Sequence, residues 1–482
     1  MAKLSIALSL VATTVAMSAQ AHPLKAASDQ YVADTVAWIQ SESIQCTAEV
    51  PHAMCETSIV KFSDGAFDQN RTDPRQTILV LDSAVDLHTV LRYRSRIKAH
   101  LEFDPQTNTF VEGDPEVAIS KLGQKLLTEL DTFKDPETQA PAFLPSAWLR
   151  NLAVAYGSAA PGDTQDHITQ EPHFSHGSKV LGYLTQHNPN AEFVVIDTAT
   201  FLPYLQHREA VCNKDSQTFK SYMQAAAASL TQDVIEQYGV EYINFSGGYN
   251  RYHVKQAWQR NECSGNMSNY AASNMLAAMK PYYDAMFEAS GVLGFQAAVI
   301  NADNKDDALD VIDYPNRIRV QPYTSESVDT DVSPTGESGW QQVFKDFSNE
   351  FSGHEHIDMY VNFGYGRANF FNQNSTPKMT SDVFGMQYAA DWALLSSSWS
   401  TPVAVSYAIN EQAKLYNETF QIGFAPGLLK EQLLPKACND AGDYWYVYGI
   451  SAFMWMGDNM CRIQDPLKYR ADQLNTLGYL SL

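Results

Sequence analysis

Five short runs of this chain are rich in β-branched and aromatic residues and hold few charges. They are "TILVL" (Thr77–Leu81), "EFVVI" (Glu192–Ile196), "EYINF" (Glu241–Phe245), "GFQAAVI" (Gly294–Ile300) and Arg317–Val320. A strand with one face in water alternates apolar and polar side chains. Near-continuous apolar runs of this length suit strands covered on both faces. Longer stretches with helical periodicity lie between and after them, at Ser216–Gln237, Tyr270–Ala289 and Thr401–Tyr416. Strands buried on both sides and joined through helices predict an α/β fold: three layers, with a mostly parallel central sheet flanked by helices.

Residues 87–166 read differently. Asp114 is placed to cap a helix, Pro115 fits its first position, and Ile119, Leu122, Leu126, Leu130 and Phe133 share one stripe. This predicts a helix over Pro115–Phe133, followed by the Pro/Ala-rich "DPETQAPAFLP". The region is expected to be a helical insertion against the main domain.

The N-terminus has the marks of an export signal. Lys3 precedes the mostly apolar Leu4–Met17, and Ala19-Gln20-Ala21 fits a cleavage site before His22. Residues 1–21 are then a signal peptide and 22–70 an N-terminal extension or short pro-segment. Residues 71–425 form the main domain, and 426–482 a C-terminal extension. No later run reaches the roughly 18 apolar residues of a membrane span, so no stable membrane insertion is expected after cleavage. A formal charge of −22 argues against nucleic acid as a partner. The six cysteines in an exported chain suggest disulfides. Nearest neighbours give 46–55, 212–263 and 438–461, the last within the C-terminal extension. No Cys/His spacing suggests zinc.

Sites in parallel sheets form at the carboxyl ends of strands. Asp82 follows the first run in "ILVLDSAVD", and "SGGY" (Ser246–Tyr249) follows the third. Asn301 follows the fourth in "VINADN". "HGSKVLG" (His176–Gly182) and "SSSWSTPVAVSYAI" (Ser396–Ile409) each read as a turn entering a helix. A buried carboxylate that orients an imidazole, an imidazole that takes a proton near neutral pH, and a serine needing such a base make a nucleophilic triad. A helix N-terminus and a strand-end Asn supply donors for an oxyanion.

The Asp…His…Ser order and these motifs resemble the subtilisin-like serine peptidases (subtilases, peptidase S8 type), as a divergent member. "ILVLDSAVD" resembles that family's strand plus Asp-Ser/Thr-Gly, and "HGSKVLG" resembles His-Gly-Thr-His-Val-Ala-Gly. "INFSGG" resembles Ile-Asn-Met-Ser-Leu-Gly, "AVIN" resembles Ala-Ala-Gly-Asn, and "SSSWSTP" resembles Gly-Thr-Ser-Met-Ala-Thr-Pro. "IDMYVNFG" (Ile357–Gly364) resembles Val-Asp-Val-Met-Ala-Pro-Gly more loosely. The resemblance implies a subtilisin-like fold and an exported serine endopeptidase, a monomer acting on protein or peptide substrates. Asp82, His176 and Ser398 would be catalytic and Asn301 the oxyanion donor. Ser246, Gly247 and Gly248 would pair with substrate backbone. It implies no required cofactor. Subtilases often bind calcium, and the acidic "NADNKDDALD" (Asn301–Asp310) is where it would go, but that loop lacks the EF-hand glycine and reads as a solvated turn.

The chain departs from the family pattern at Ala84, Lys179, Ser396, Ser397 and Trp399. Plainer roles exist for each candidate. Ser398 can cap a helix, with Ser397 as its alternative. His173 and Asp86 rival His176 and Asp82, and Asn304 rivals Asn301. "GHEH" (Gly353–His356) lacks the helical spacing of a zinc site and reads as a loop. Two other functions compete: a catalytically weak or inactive binding protein on the same fold, and an esterase. The chain has no Gly-x-Ser-x-Gly elbow and the wrong triad order for the latter.

Overall fold

The computed structural model describes residues 23–61, 76–83, 85, 91–113, 115–163, 167–169, 175–188, 191–289, 291–298, 305–325, 356–365, 379–382, 384–388, 397–419, 426–437, 443–447, 452–456 and 462–464. The proposed signal, the segment from 62 to 75, Asn301 and Asn304, His173, Asp86, and Cys438 and Cys461 lie outside them.

The strands in chain order are β1 (Thr57–Lys61), β2 (Thr77–Asp82), β3 (Ile97–Asp104), β4 (Thr109–Gly113), β5 (Glu116–Ser120), β6 (His167–Thr169), β7 (Glu192–Asp197) and β8 (Tyr242–Phe245). They continue as β9 (Leu293–Ala297), β10 (Arg317–Ser325), β11 (Met359–Tyr365), β12 (Met379–Asp382), β13 (Gly385–Tyr388), β14 (Asp443–Val447), β15 (Ala452–Met456) and β16 (Arg462–Gln464). Nine of them form the central sheet in the order β16-β11-β10-β9-β8-β2-β7-β3-β4. Every neighbouring pair is parallel except β3–β4.

Why β2 reads as one apolar run is plain from its two faces. Leu79 and Leu81 enter one core with Phe219, Met223, Tyr283 and Met286 of the helices Ser216–Ser229 and Lys280–Phe287. Ile78 and Val80 enter the opposite core with Val180 and Leu184 of the helix His176–His187, and Val403 and Ala404 of the helix Ser397–Thr419. The fold is therefore α/β in three layers, as expected. The Ser216–Gln237 helix continues through a π-helical turn at Leu230–Glu236. The Tyr270–Ala289 expectation divides into two helices, with Pro281 in the first turn of the second.

The expected helix over Pro115–Phe133 is only partly so. Glu116–Ser120 is β5, paired antiparallel with β1 from Thr57↔Ser120 to Lys61↔Glu116. Val117 and Ile119 are buried in strand alternation, a period of two that the helical stripe absorbed. The helix begins at Lys121, and its cap is Ser120, which accepts from the Gly123 N–H at 3.1 Å. Nor is the 87–166 region only helical, since β3 and β4 within it extend the central sheet.

A third core joins residues 23–61 to that region. Val32 and Ile39 of the first helix (Pro23–Ser41) and Val60 of β1 pack with Val117, Leu122, Leu126, Leu152 and Tyr156. Cys46–Cys55 closes a loop beside it, and Cys212–Cys263 staples the central domain, so both described cysteine pairs are the nearest neighbours. Phe384, from the turn of the β12–β13 hairpin, is fully buried in this third core, its ring 5.6 Å from that of Tyr156. Its carbonyl accepts from Arg92 Nη1 at 2.9 Å and Ser146 Oγ at 2.8 Å. Gly385 follows at φ +109°, and a Cβ there would strike the Tyr93 hydroxyl. Among the described residues, no helix is long and apolar enough to cross a membrane.

Candidate active site

Asp82 is the last residue of β2, and its side chain is 2% exposed. Its main chain is fixed by the Thr198 N–H, which donates to its carbonyl at 2.7 Å. Its carboxylate Oδ1 accepts from the Ser83 N–H at 2.7 Å. His176 opens its helix behind the cap Ser175, which accepts from the Ser178 N–H at 3.3 Å. Gly177 lets that helix end meet the loop after β2. Its N–H donates to the Ser83 carbonyl at 2.8 Å, and a Cβ on it would lie 2.7 Å from that oxygen. Any side chain there would push the helix away. The His176 ring therefore reaches Asp82, Nδ1 to Oδ1 at 2.5 Å.

Burial pushes the Asp82 carboxyl up from its usual value; the His176 ring, the Ser83 N–H and the Ser246 hydroxyl oppose it. Asp82 Oδ2 is buried with no hydrogen-bond partner among the described residues. Oδ1 takes both the imidazole and the Ser83 N–H, and the Ser246 hydroxyl also acts on the carboxyl.

Ser398 sits in the first turn of the helix Ser397–Thr419, which packs directly on the His176–His187 helix. The Ser398 hydroxyl donates to the Ser246 carbonyl at 3.3 Å, and the Ser246 hydroxyl donates to the Ser398 carbonyl at 3.2 Å. Ser246 lies just past β8. Asp82 with His176, and Ser398 with Ser246, are thus two bonded pairs, and the Ser246 hydroxyl acts on the Asp82 carboxyl. Asn301 falls outside the described residues.

Gly247 and Gly248 rest on a buried polar platform. Gln296 Nε2 donates to the Gly247 carbonyl at 3.2 Å and to Asp310 Oδ1 at 2.5 Å, while Gln296 Oε1 accepts from Arg317 Nη1 at 2.9 Å. A Cβ on Gly248 would lie 3.1 Å from Asp310 Oδ2. The missing side chain of Gly248 lets the segment settle closely on this platform. Two residues here escaped the sequence reading. Asn244 is a fully buried amide in β8, and Asp310 lies in a loop read as solvated but is only 4% exposed. The apolar character of "EYINF" points to a strand, but not to the partner of the buried Asn244. Among the described residues, no three His, Cys, Asp or Glu side chains are grouped so as to hold a metal ion.

Burial raises the Asp310 carboxyl to about 7, against the pull of Arg317 and Gln296. In the unfolded chain it ionises near its ordinary value, so between about pH 4 and 7 the folded state holds the proton and the unfolded state does not. This group therefore stabilises the fold most at low pH, and that contribution is lost as the pH rises through 7, by on the order of 4 kcal/mol. Urea midpoints measured from pH 4 to 8 should fall more steeply in the wild type than in Asp310→Asn. Parallel slopes would exclude the effect.

No family model matches the chain, and no curated protein matches it. Among solved structures it is similar to one described as the crystal structure of a lanthipeptide protease. The identity is 12% and the TM-score 0.32, over 76% of this chain and 81% of that one. An overlap that loose says nothing of what this chain does.

Proposed function

We propose that the protein is an exported serine endopeptidase of the subtilisin-like kind, with Asp82, His176 and Ser398 as its triad. The observation that carries the reading is the His176–Asp82 bond, 2.5 Å long across 94 residues of chain. It joins a strand end to a helix start, beside the contact of the Gly177 N–H with the Ser83 carbonyl.

In this reading Ser398 attacks the scissile carbonyl and His176 takes its proton, then returns it to the leaving amine. Asp82 holds the imidazole with Nδ1 protonated, so that the other ring nitrogen can act as base. The oxyanion forms at the N-terminus of the Ser397–Thr419 helix, where backbone N–H groups lack helical partners, and Asn301 would add a side-chain donor. Substrate lies extended along Ser246–Gly248. A substrate N–H that takes the Ser246 carbonyl displaces the Ser398 hydroxyl from it and frees that hydroxyl for His176. No cofactor is required for these steps.

The rival reading, a binding protein on the same fold, draws on Ser396 and Ser397 standing where the family has Gly and Thr. A fluorophosphonate probe separates the two, because it reacts only with an activated serine. Labelling of the disulfide-intact protein, mapped to the peptide carrying Ser398 and absent in Ser398→Ala, is the expected result. No labelling of folded protein would favour the binding protein.

A further inference from the structure

Pro402 lies inside the Ser397–Thr419 helix. A proline has no N–H to donate, so the carbonyl four residues earlier loses its helical partner. That carbonyl belongs to Ser398. Its neighbour Ser397 is supplied differently, since its carbonyl accepts from the Ser400 and Thr401 hydroxyls, each at 2.8 Å. The Ser398 carbonyl instead accepts from the Ser246 hydroxyl at 3.2 Å, a bond between residues 152 apart in the chain.

The Ser246 hydroxyl is itself aimed from below. Asn244 is 0% exposed in β8, and its Nδ2 donates to Ser246 Oγ at 2.8 Å, whereas its Oδ1 has no partner among the described residues. A buried amide that leaves one end unpaired is costly, and leucine of similar size would avoid that cost. What asparagine adds at this position is the bond to Ser246. It occupies a lone pair of that hydroxyl and turns the hydroxyl's proton toward the Ser398 carbonyl.

We infer that Asn244 and the Ser246 hydroxyl are positioning residues, which replace the helical hydrogen bond removed by Pro402 and so fix the main chain that carries the Ser398 hydroxyl. The inference rests on Ser398 being the nucleophile, and it gives Ser246 a side-chain task separate from the pairing of its backbone with substrate.

The probe is again a fluorophosphonate, now followed over time to separate its binding constant from its maximal rate of reaction with Ser398. Ser246→Ala should lower the maximal rate ten- to hundredfold with the binding constant within twofold, and Ser246→Thr should restore it to within about threefold. Asn244→Leu should lower it about tenfold without loss of folding stability, and should add nothing in a Ser246→Ala background. Pro402→Ala returns an N–H to the helix and should recover part of the rate lost in Ser246→Ala. An Asn244→Leu loss that persists in full beside Ser246→Ala, or a Ser246→Ala rate within twofold of wild type, overturns the inference while the site stands. Wild-type protein that does not react overturns the site and the inference together.

Discussion

Asp82→Asn is expected to lower kcat/KM on peptide substrates by about 10⁴-fold, with the protein still folded. An amide offers His176 Nδ1 either an N–H or a neutral oxygen, and neither holds the imidazole as an ionised carboxylate does. Asp82 Oδ1 is the atom that meets the ring. The same substitution should not weaken the fold. Burial is the largest influence on the Asp82 carboxyl and raises it, so the ionised form is disfavoured in the native state. A raised carboxyl stabilises the native state at low pH and loses that contribution as the pH rises. The variant's stability relative to wild type should therefore improve toward high pH. Activity and urea midpoints on one preparation test both halves. A drop of less than tenfold in kcat/KM would remove Asp82 from the triad.

Phe384→Ala is expected to cost about 3–5 kcal/mol, the usual range for emptying a fully buried phenylalanine site. Phe384 enters a core built from residues far from it in the chain, among them Leu122, Leu152 and Tyr156. Arg92 and Ser146 hold its carbonyl. Its hairpin stands in the chain just before the helix that begins at Ser397. Loss of the ring should loosen the hairpin before the rest of the protein, so new proteolytic cuts near residues 379–388 should accompany the lowered urea midpoint. A midpoint change worth less than about 1 kcal/mol would mean that the ring is not an anchor.

The central sheet was legible because burial on both faces writes itself as unbroken apolar runs, and β2 is buried at every position. β3 was not, since "IKAHLEFD" alternates and carries charges that reach solvent at Lys98 and Glu102. The Pro115–Phe133 expectation failed where two periodicities overlap. Ile119 satisfies both a helical stripe and a strand alternation, and only the partner strand β1 decides between them. At the site, His176 stood out through the motif "HGSKVLG" that it opens, and its ring meets Asp82. Asn244 did not, since its purpose lies with a helix 152 residues beyond the serine it supports. Both described disulfides join nearest neighbours, and nothing in cysteine spacing alone required that.

The Phe384 anchor also sets an order in time. The bond from Arg92 to its carbonyl closes 292 residues of chain, and contacts so far apart form slowly because the loop must be closed before they return any stability. During synthesis Asp82 and His176 are both present long before residue 384 exists, so that pair can meet while the anchor is still unmade. In the proposed reading, the residue that would attack is made after the pair that would serve it.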